Sequence, residues 1–165
     1  MYDKLSLKLG KEAKQFDTNT IIDQDLKRKL ESISQIGTSI LEDEDLDKYN
    51  DITNEMEKIY STAKVADFND KTKMVSLDPE ISLRLAESRD EKELEYYWTQ
   101  WREVTGKKMK NMYKEYVHLT NKAARMNGFR DGTEMQIHSY ESKTFVQEMG
   151  ETWSGLKVKH ILLNS

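Results

Sequence analysis

The sequence predicts an all-α fold of antiparallel helices with one long member, and three observations carry that reading. Apolar residues recur at helical spacing along almost the whole chain. Only one proline and seven glycines interrupt its 165 residues, too few for a turn-rich protein. No segment alternates apolar and polar residues over a useful length, so no strand is expected.

The elements follow in order. Leu5, Leu9, Ala13 and Phe16 form a one-sided stripe over 4–16. Asp23 is suited to cap a helix holding Leu26, Leu30, Ile33 and Ile36, which Gly37 would close. From about residue 43 a third stripe runs through Leu46, Tyr49, Ile52, Met56, Ile59, Tyr60 and Ala63 to near Val65. The pattern then breaks at ADFNDKTKMVSLD (66–78), which reads as a loop. Ser76 or Asp78 would cap a short helix with Pro79 in its first turn, where the missing N–H costs nothing.

Asp90 opens the longest element, expected to reach Met126 with Gly106 bending it and Asn127-Gly128 ending it. A shorter piece covers 132–140, and a last helix from about Ser142 carries Phe145, Met149, Trp153 and Leu156. The closing KVKHILLNS loses the charge pattern and is expected to be an unanchored end. The helical portion is thus 1–155, with 156–165 a divergent tail.

Composition narrows the chemistry. With 26 basic and 30 acidic side chains the formal net charge is −4, so there is no broad basic field and nucleic acid is not an expected partner. The absence of cysteine excludes disulfides, thiolate catalysis and cysteine zinc sites within these residues. No stretch reaches the apolar length of a membrane span. The first residues lack the apolar core of a secretory signal, and no Asn-x-Ser/Thr acceptor occurs. Read on the residues alone, a soluble intracellular chain is expected.

Of the three histidines, His118, His138 and His160, none belongs to H-E-x-x-H. For His118, in the polar run of the long helix, a surface or rim histidine is the plainer account. The run EDEDLD (42–47) lacks the spaced oxygens and glycine of a calcium loop. It suits a solvated helix N-terminus, where the dipole favours negative charge. The stretch ELEYYWTQWREVTGKKM (93–109) stands apart, because Trp98, Trp101 and Arg102 fall on one helical face. Two readings stay open. One is an indole core with a guanidinium on its rim; the other is an anion site, since a buried arginine needs a counter-charge.

Taken together, YSTAKV (60–65), LDPEI (77–81), SRDEKELEYYW (88–98), WRE-TGKKM (101–109), YVHLTNKAARMNGFRD (116–131) and SYE (139–141) resemble the angiotensin-converting enzyme family, the zinc peptidyl dipeptidases of peptidase family M2. The YYW block is closest to insect-like members. The resemblance implies the N-terminal part of a helical, two-lobed catalytic domain with a deep cleft. Trp98 and Arg102 match residues lining the family's inner chloride site, here as a half-site. Glu57, Tyr60 and Asp78 match positions that approach the substrate cleft, Asp78 where members carry an acidic residue of the S1′ pocket. As a plain helix cap, Asp78 would need no such role.

In the family's order, the zinc motif and the groups supporting the transition state lie beyond Ser165. No catalytic residue, zinc ligand or resident cofactor is therefore expected in this chain, while zinc and chloride belong to the full-length family. The resemblance thus implies a truncated, non-catalytic product of a family that releases C-terminal dipeptides, with peptide as substrate only in full-length relatives. A helical interaction module, or one part of an active metallopeptidase, is the alternative. Family members are secreted or membrane-anchored.

Departures are visible. Where members carry two cysteines bridging the loop after YSTAKV, this chain has Ala66 and Met74. The Trp-Arg pair before SYE is missing, with Gln136 and Ile137 nearby. Faces that meet the rest of such a domain should be exposed, giving an apolar patch around Trp98, Trp101 and the Met109–Tyr113 turn. Self-association, or binding to a complementary helical surface, is the expected consequence.

Overall fold

The computed structural model describes residues 2–163, with side chains from 4 to 157. Among the described residues it is helical almost throughout: α1 (Tyr2–Ala13), α2 (Gln24–Ser34), α3 (Asp43–Thr62), α4 (Ser82–Glu87), α5 (Glu91–Val104), α6 (Gly106–Met126), α7 (Gly132–His138) and α8 (Phe145–Leu163). Two short strands, β1 (Lys64–Ala66) and β2 (Met74–Ser76), separate α3 from α4. The chain divides into two compact units, one of residues 1–40 with 121–165, the other of 41–120.

In the first unit α1 packs on α2. Gly10 of α1 is buried, and a Cβ there would run into the Ile36 side chain and lie 3.2 Å from the Ile33 carbonyl. Only hydrogen fits at that approach. Asp23 caps α2 as expected, accepting the N–H groups of Asp25 and Leu26 at 2.9 and 3.1 Å. The helix stops at Ser34, before Ile36. The following turn is clasped by Asn127, whose side chain accepts the Ile36 N–H at 3.1 Å and donates to the carbonyls of Gly37 and Ala123 at 2.8 and 2.9 Å. Gly128, at φ 93, lets the Phe129 N–H reach back to the Ala124 carbonyl at 2.9 Å. That bond closes α6 in a Schellman turn, where glycine is favoured.

Asp131 caps α7 through the Glu134 N–H at 2.9 Å, and the Glu134 carboxylate accepts the Arg130 N–H at 2.6 Å. α8 continues to Leu163, so backbone expected to be an unanchored end is helical. The tail's last two residues, and the His160 side chain, lie outside the described residues. On α8, Val146, Met149, Trp153 and Leu156 are exposed.

The second unit is built around Val65, Ile81, Tyr97 and Trp101, with Phe68, Val75, Leu77, Tyr96 and Val104 packed against them. β1 and β2 pair antiparallel, Val65 opposite Val75 and Ala66 opposite Met74. This corrects the loop reading of 66–78: each strand is three residues long, too short to show a period of two. A second correction concerns the long helix. It breaks at Thr105 (φ −118, ψ −84) into α5 and α6 rather than bending at Gly106. Thr105 is buried, and its hydroxyl and N–H both take the Trp101 carbonyl, a local bond that competes with continuation of the helix.

Candidate functional site

All five residues singled out from the sequence lie in the second unit. On α5, Trp98 and Arg102 are one turn apart, and the Arg102 guanidinium carbon sits 3.0 Å from the Trp98 ring centroid. The same guanidinium donates to the Trp98 carbonyl at 2.8 Å. Its positive charge is thus held over the indole face, where the ring quadrupole attracts it. Arg102 makes no ion pair with a carboxylate among the described residues. Trp98 is 57% exposed and Trp101 only 9%.

The three side chains therefore do not act as one face. Trp101 turns into the core, while Trp98 and Arg102 lie on the surface. That corrects the apolar patch drawn from the sequence, because Trp101 drops out of it. Trp98 and Tyr113 remain exposed, and Met109 and Met112 are half-buried.

α3 brings Tyr60 edge-on to Trp101, ring centroids 5.5 Å apart, with nearly half of the tyrosine still exposed. Glu57, one turn earlier on α3, is exposed. Asp78 lies at the kink (φ −118, ψ 128) of the π-type turn Leu77–Ile81. Its peptide bond to Pro79 is cis. Neither Ser76 nor Asp78 caps this turn through its side chain, so the expected cap is corrected. Ser76 donates instead to the Asp78 carbonyl at 3.2 Å and the Glu80 carboxylate at 2.7 Å. The Ser76 hydroxyl first, and the backbone N–H of Glu80 next, hold the Glu80 carboxyl below its ordinary range. The Asp78 carboxylate is exposed and bonds to nothing among the described residues.

The structure also places a cluster that the sequence reading missed. The Tyr96 hydroxyl donates to the Ala66 carbonyl at 3.0 Å. Lys71, from the hairpin tip, sits 3.6 Å from the Tyr96 ring centroid and 5.1 Å from that of Phe68. Asp67 accepts the N–H groups of Asn69 and Asp70 at 2.9 and 3.0 Å. With those bonds the backbone N–H of Asp70 first, and that of Asn69 next, hold its carboxyl below the usual value. The signal available beforehand was the adjacent Tyr96-Tyr97 pair in an otherwise apolar stripe.

In the first unit a cleft of about 630 Å³ is lined by Arg28, Gln35, Phe129, His138, Glu141 and Lys143, among others. Arg28 donates to Glu141 at 2.7 Å across it, and Glu141 sits at φ 53. None of the residues expected from the sequence to form a site lines it.

Set beside other proteins, the chain falls within one class of peptidase. A family model described as angiotensin-converting enzyme, peptidase family M2, matches residues 1–159. The chain belongs to the angiotensin-converting enzyme family. It is 40% identical over 146 residues to angiotensin-converting enzyme of Theromyzon tessulatum, covering 87% of this chain and 24% of that protein. It is 32% identical over 155 residues to the enzyme of Haematobia irritans exigua, covering 93% of this chain and 25% of that one. Against the Mesocricetus auratus enzyme the identity is 31% over 160 residues, 97% of this chain and 12% of the relative. The chain spans a quarter or less of the length of these relatives.

Proposed function

We propose that these residues form one helical wall of the family's peptidyl dipeptidase domain, and that the 165-residue chain by itself hydrolyses no peptide. The observation that carries this reading is a family match over nearly the whole chain that covers at most a quarter of these relatives. In the family reaction, zinc supplies a Lewis acid and an activated water. Among the described residues no three His, Asp or Glu side chains gather as metal ligands, and His118 and His138 are exposed. The part assigned to this chain within that domain is to bind and to shape.

Two groups of residues carry that part. A guanidinium held on an indole, and paired with no carboxylate among the described residues, suits half of a chloride site, so Trp98 and Arg102 are assigned there. Glu57, Tyr60 and Asp78 are assigned to the substrate side, where exposed acidic and phenolic groups can meet a peptide's N–H donors.

The test is direct. The purified chain, incubated with zinc and a peptide bearing a free C-terminus, is expected to release no dipeptide and to retain no stoichiometric zinc. Zinc-dependent dipeptide release by pure protein overturns the reading. A coding sequence that continues past residue 165 into H-E-x-x-H would make these residues the wall of an active enzyme.

A second reading, a helical interaction module, is favoured by the exposed Val146, Met149, Trp153 and Leu156 at helical spacing on α8. Cooperative unfolding of a monodisperse chain supports it, and a molten product counts against it.

A further inference from the structure

Two helices of the second unit turn oppositely charged faces to solvent. On α3, Glu44, Asp47, Asp51 and Glu55 are all exposed, at spacings i, i+3, i+7 and i+11 that put them in one stripe; Lys48 and Lys58 share that face, each already paired, with Glu115 and with Glu55. On α6, Lys107, Lys110, Lys114 and His118 are all exposed at the same spacings. Each stripe is about 16 Å long at the helical rise per residue.

The opposite faces of both helices are occupied. Tyr49 of α3 stacks on Tyr116 of α6, and Tyr116 stacks on Tyr113, with centroids 5.4 and 5.8 Å apart. The phenol of Tyr49 is pushed up to about 12 by burial first and by Tyr116 next. The two stripes are therefore not spent on each other within one molecule.

Their own local pairs are few. Lys107 pairs with Glu103 of α5, and Glu55 with Lys58 one turn on. The central members, Lys110 and Lys114 on α6 and Asp47 and Asp51 on α3, make no ion pair among the described residues. A single surface charge needs no explanation. Two stripes of opposite sign and equal spacing on one unit, unpaired at Asp47, Asp51, Lys110 and Lys114, are complementary to each other.

We propose that two copies of this chain associate by laying the basic stripe of α6 in one against the acidic stripe of α3 in the other. In parallel register the three lysine levels, Lys107, Lys110 and Lys114, meet Glu44, Asp47 and Asp51. In antiparallel register they meet within one residue. Each exposed pair contributes little alone, so the association is weak, additive over the stripe and strongly screened by salt. The contact is distinct from any apolar association through α8 or through Trp98 and Tyr113.

Sedimentation equilibrium of the full chain tests this at about 0.02 M and about 0.5 M salt, which shortens the screening length from roughly 20 Å to roughly 4 Å. Association is expected at low salt and at least about ten-fold weaker at high salt. The charge reversals K110E/K114E and D47K/D51K are each expected to be monomeric, whereas an equimolar mixture of the two associates again. Circular dichroism checks that each variant keeps its helices, and the neutral pair K110Q/K114Q and D47N/D51N replaces any that does not, each then expected to lose association.

A wild-type chain that is monomeric at low salt overturns the proposal. So does association that survives either reversal or high salt unchanged, and so does a mixture of folded reversals that stays monomeric.

Discussion

The Tyr97 hydroxyl donates to the Asp67 carboxylate at 3.0 Å and accepts the Phe68 N–H at 3.0 Å. One phenol on α5 thus fastens the start of the hairpin loop, while its ring, 1% exposed, fills the core of the second unit. Burial, more than the neighbouring carboxylate, pushes its ionisation above the ordinary value. Tyr97→Phe keeps the ring and removes both bonds, leaving the Phe68 N–H without its acceptor. A loss of about 1–2 kcal/mol is expected from a urea titration. A change below about 0.3 kcal/mol would show that water replaces the phenol at no cost.

Acid should weaken the fold through Asp67. Its folded carboxyl is lowered by the Asp70 and Asn69 N–H groups. A lowered carboxylate contributes stability that is present above its unfolded value and lost as pH falls through the folded one. Asp70, Glu115 and Asp131 shift the same way, held first by the Thr72 hydroxyl, the Lys48 ammonium and the Glu134 N–H respectively. Thermal midpoints are therefore expected to be level through neutral pH and to fall below about pH 4. Asp67→Asn should flatten that acid limb. An acid limb as steep in Asp67→Asn as in the parent would assign it to other groups.

The two tryptophans of α5 should separate sharply on truncation. Trp101 is buried against Tyr60 and Val65, so Trp101→Ala is expected to cost about 3–5 kcal/mol. Trp98 lies on the surface beneath Arg102, and Trp98→Ala should cost about 1 kcal/mol or less. Equal losses in calorimetry would contradict the placement of the two indoles.

The hairpin offers a covalent test of its own register. Ala66 and Met74 are Cα partners, and the Asp67 N–H bonds the Lys73 carbonyl at 2.9 Å. The 66–74 pair therefore falls at a non-hydrogen-bonded position, where Cα atoms lie about 4.5 Å apart. That separation is within disulfide range. The double variant A66C/M74C is expected to oxidise without external constraint and to gain about 2 kcal/mol, as a short closed loop permits. Thiol titration under denaturant reads the bond. Two free thiols after air oxidation would place the strands out of this register.

The helices were legible because their apolar residues repeat at helical spacing, and Asp23 and Asn127-Gly128 announced where two of them begin and end. Two things were not legible. A strand of three residues cannot display a period, so Lys64–Ala66 and Met74–Ser76 looked like loop. The break at Thr105 depends on a hydroxyl folding back onto a carbonyl, which no spacing rule registers. The same holds for the candidate site. Spacing put Trp98, Trp101 and Arg102 on one face, but an arc that wide straddles the boundary between core and solvent. Only packing decided which indole went inside. The family, by contrast, was carried by ordered blocks spread along the chain, and the match over residues 1–159 agrees.

The clasp made by Asn127 sets an order of events during synthesis. Its partners, Ile36 and Gly37, are made some 90 residues earlier. Until Asn127 leaves the ribosome, α1 and α2 have each other but not the amide that pins the turn after them. Residues 41–120 form one uninterrupted stretch of the chain, made in full before Asn127 is added. As domains of growing chains condense in units, the middle of this sequence closes first. The unit that holds its beginning waits for its end.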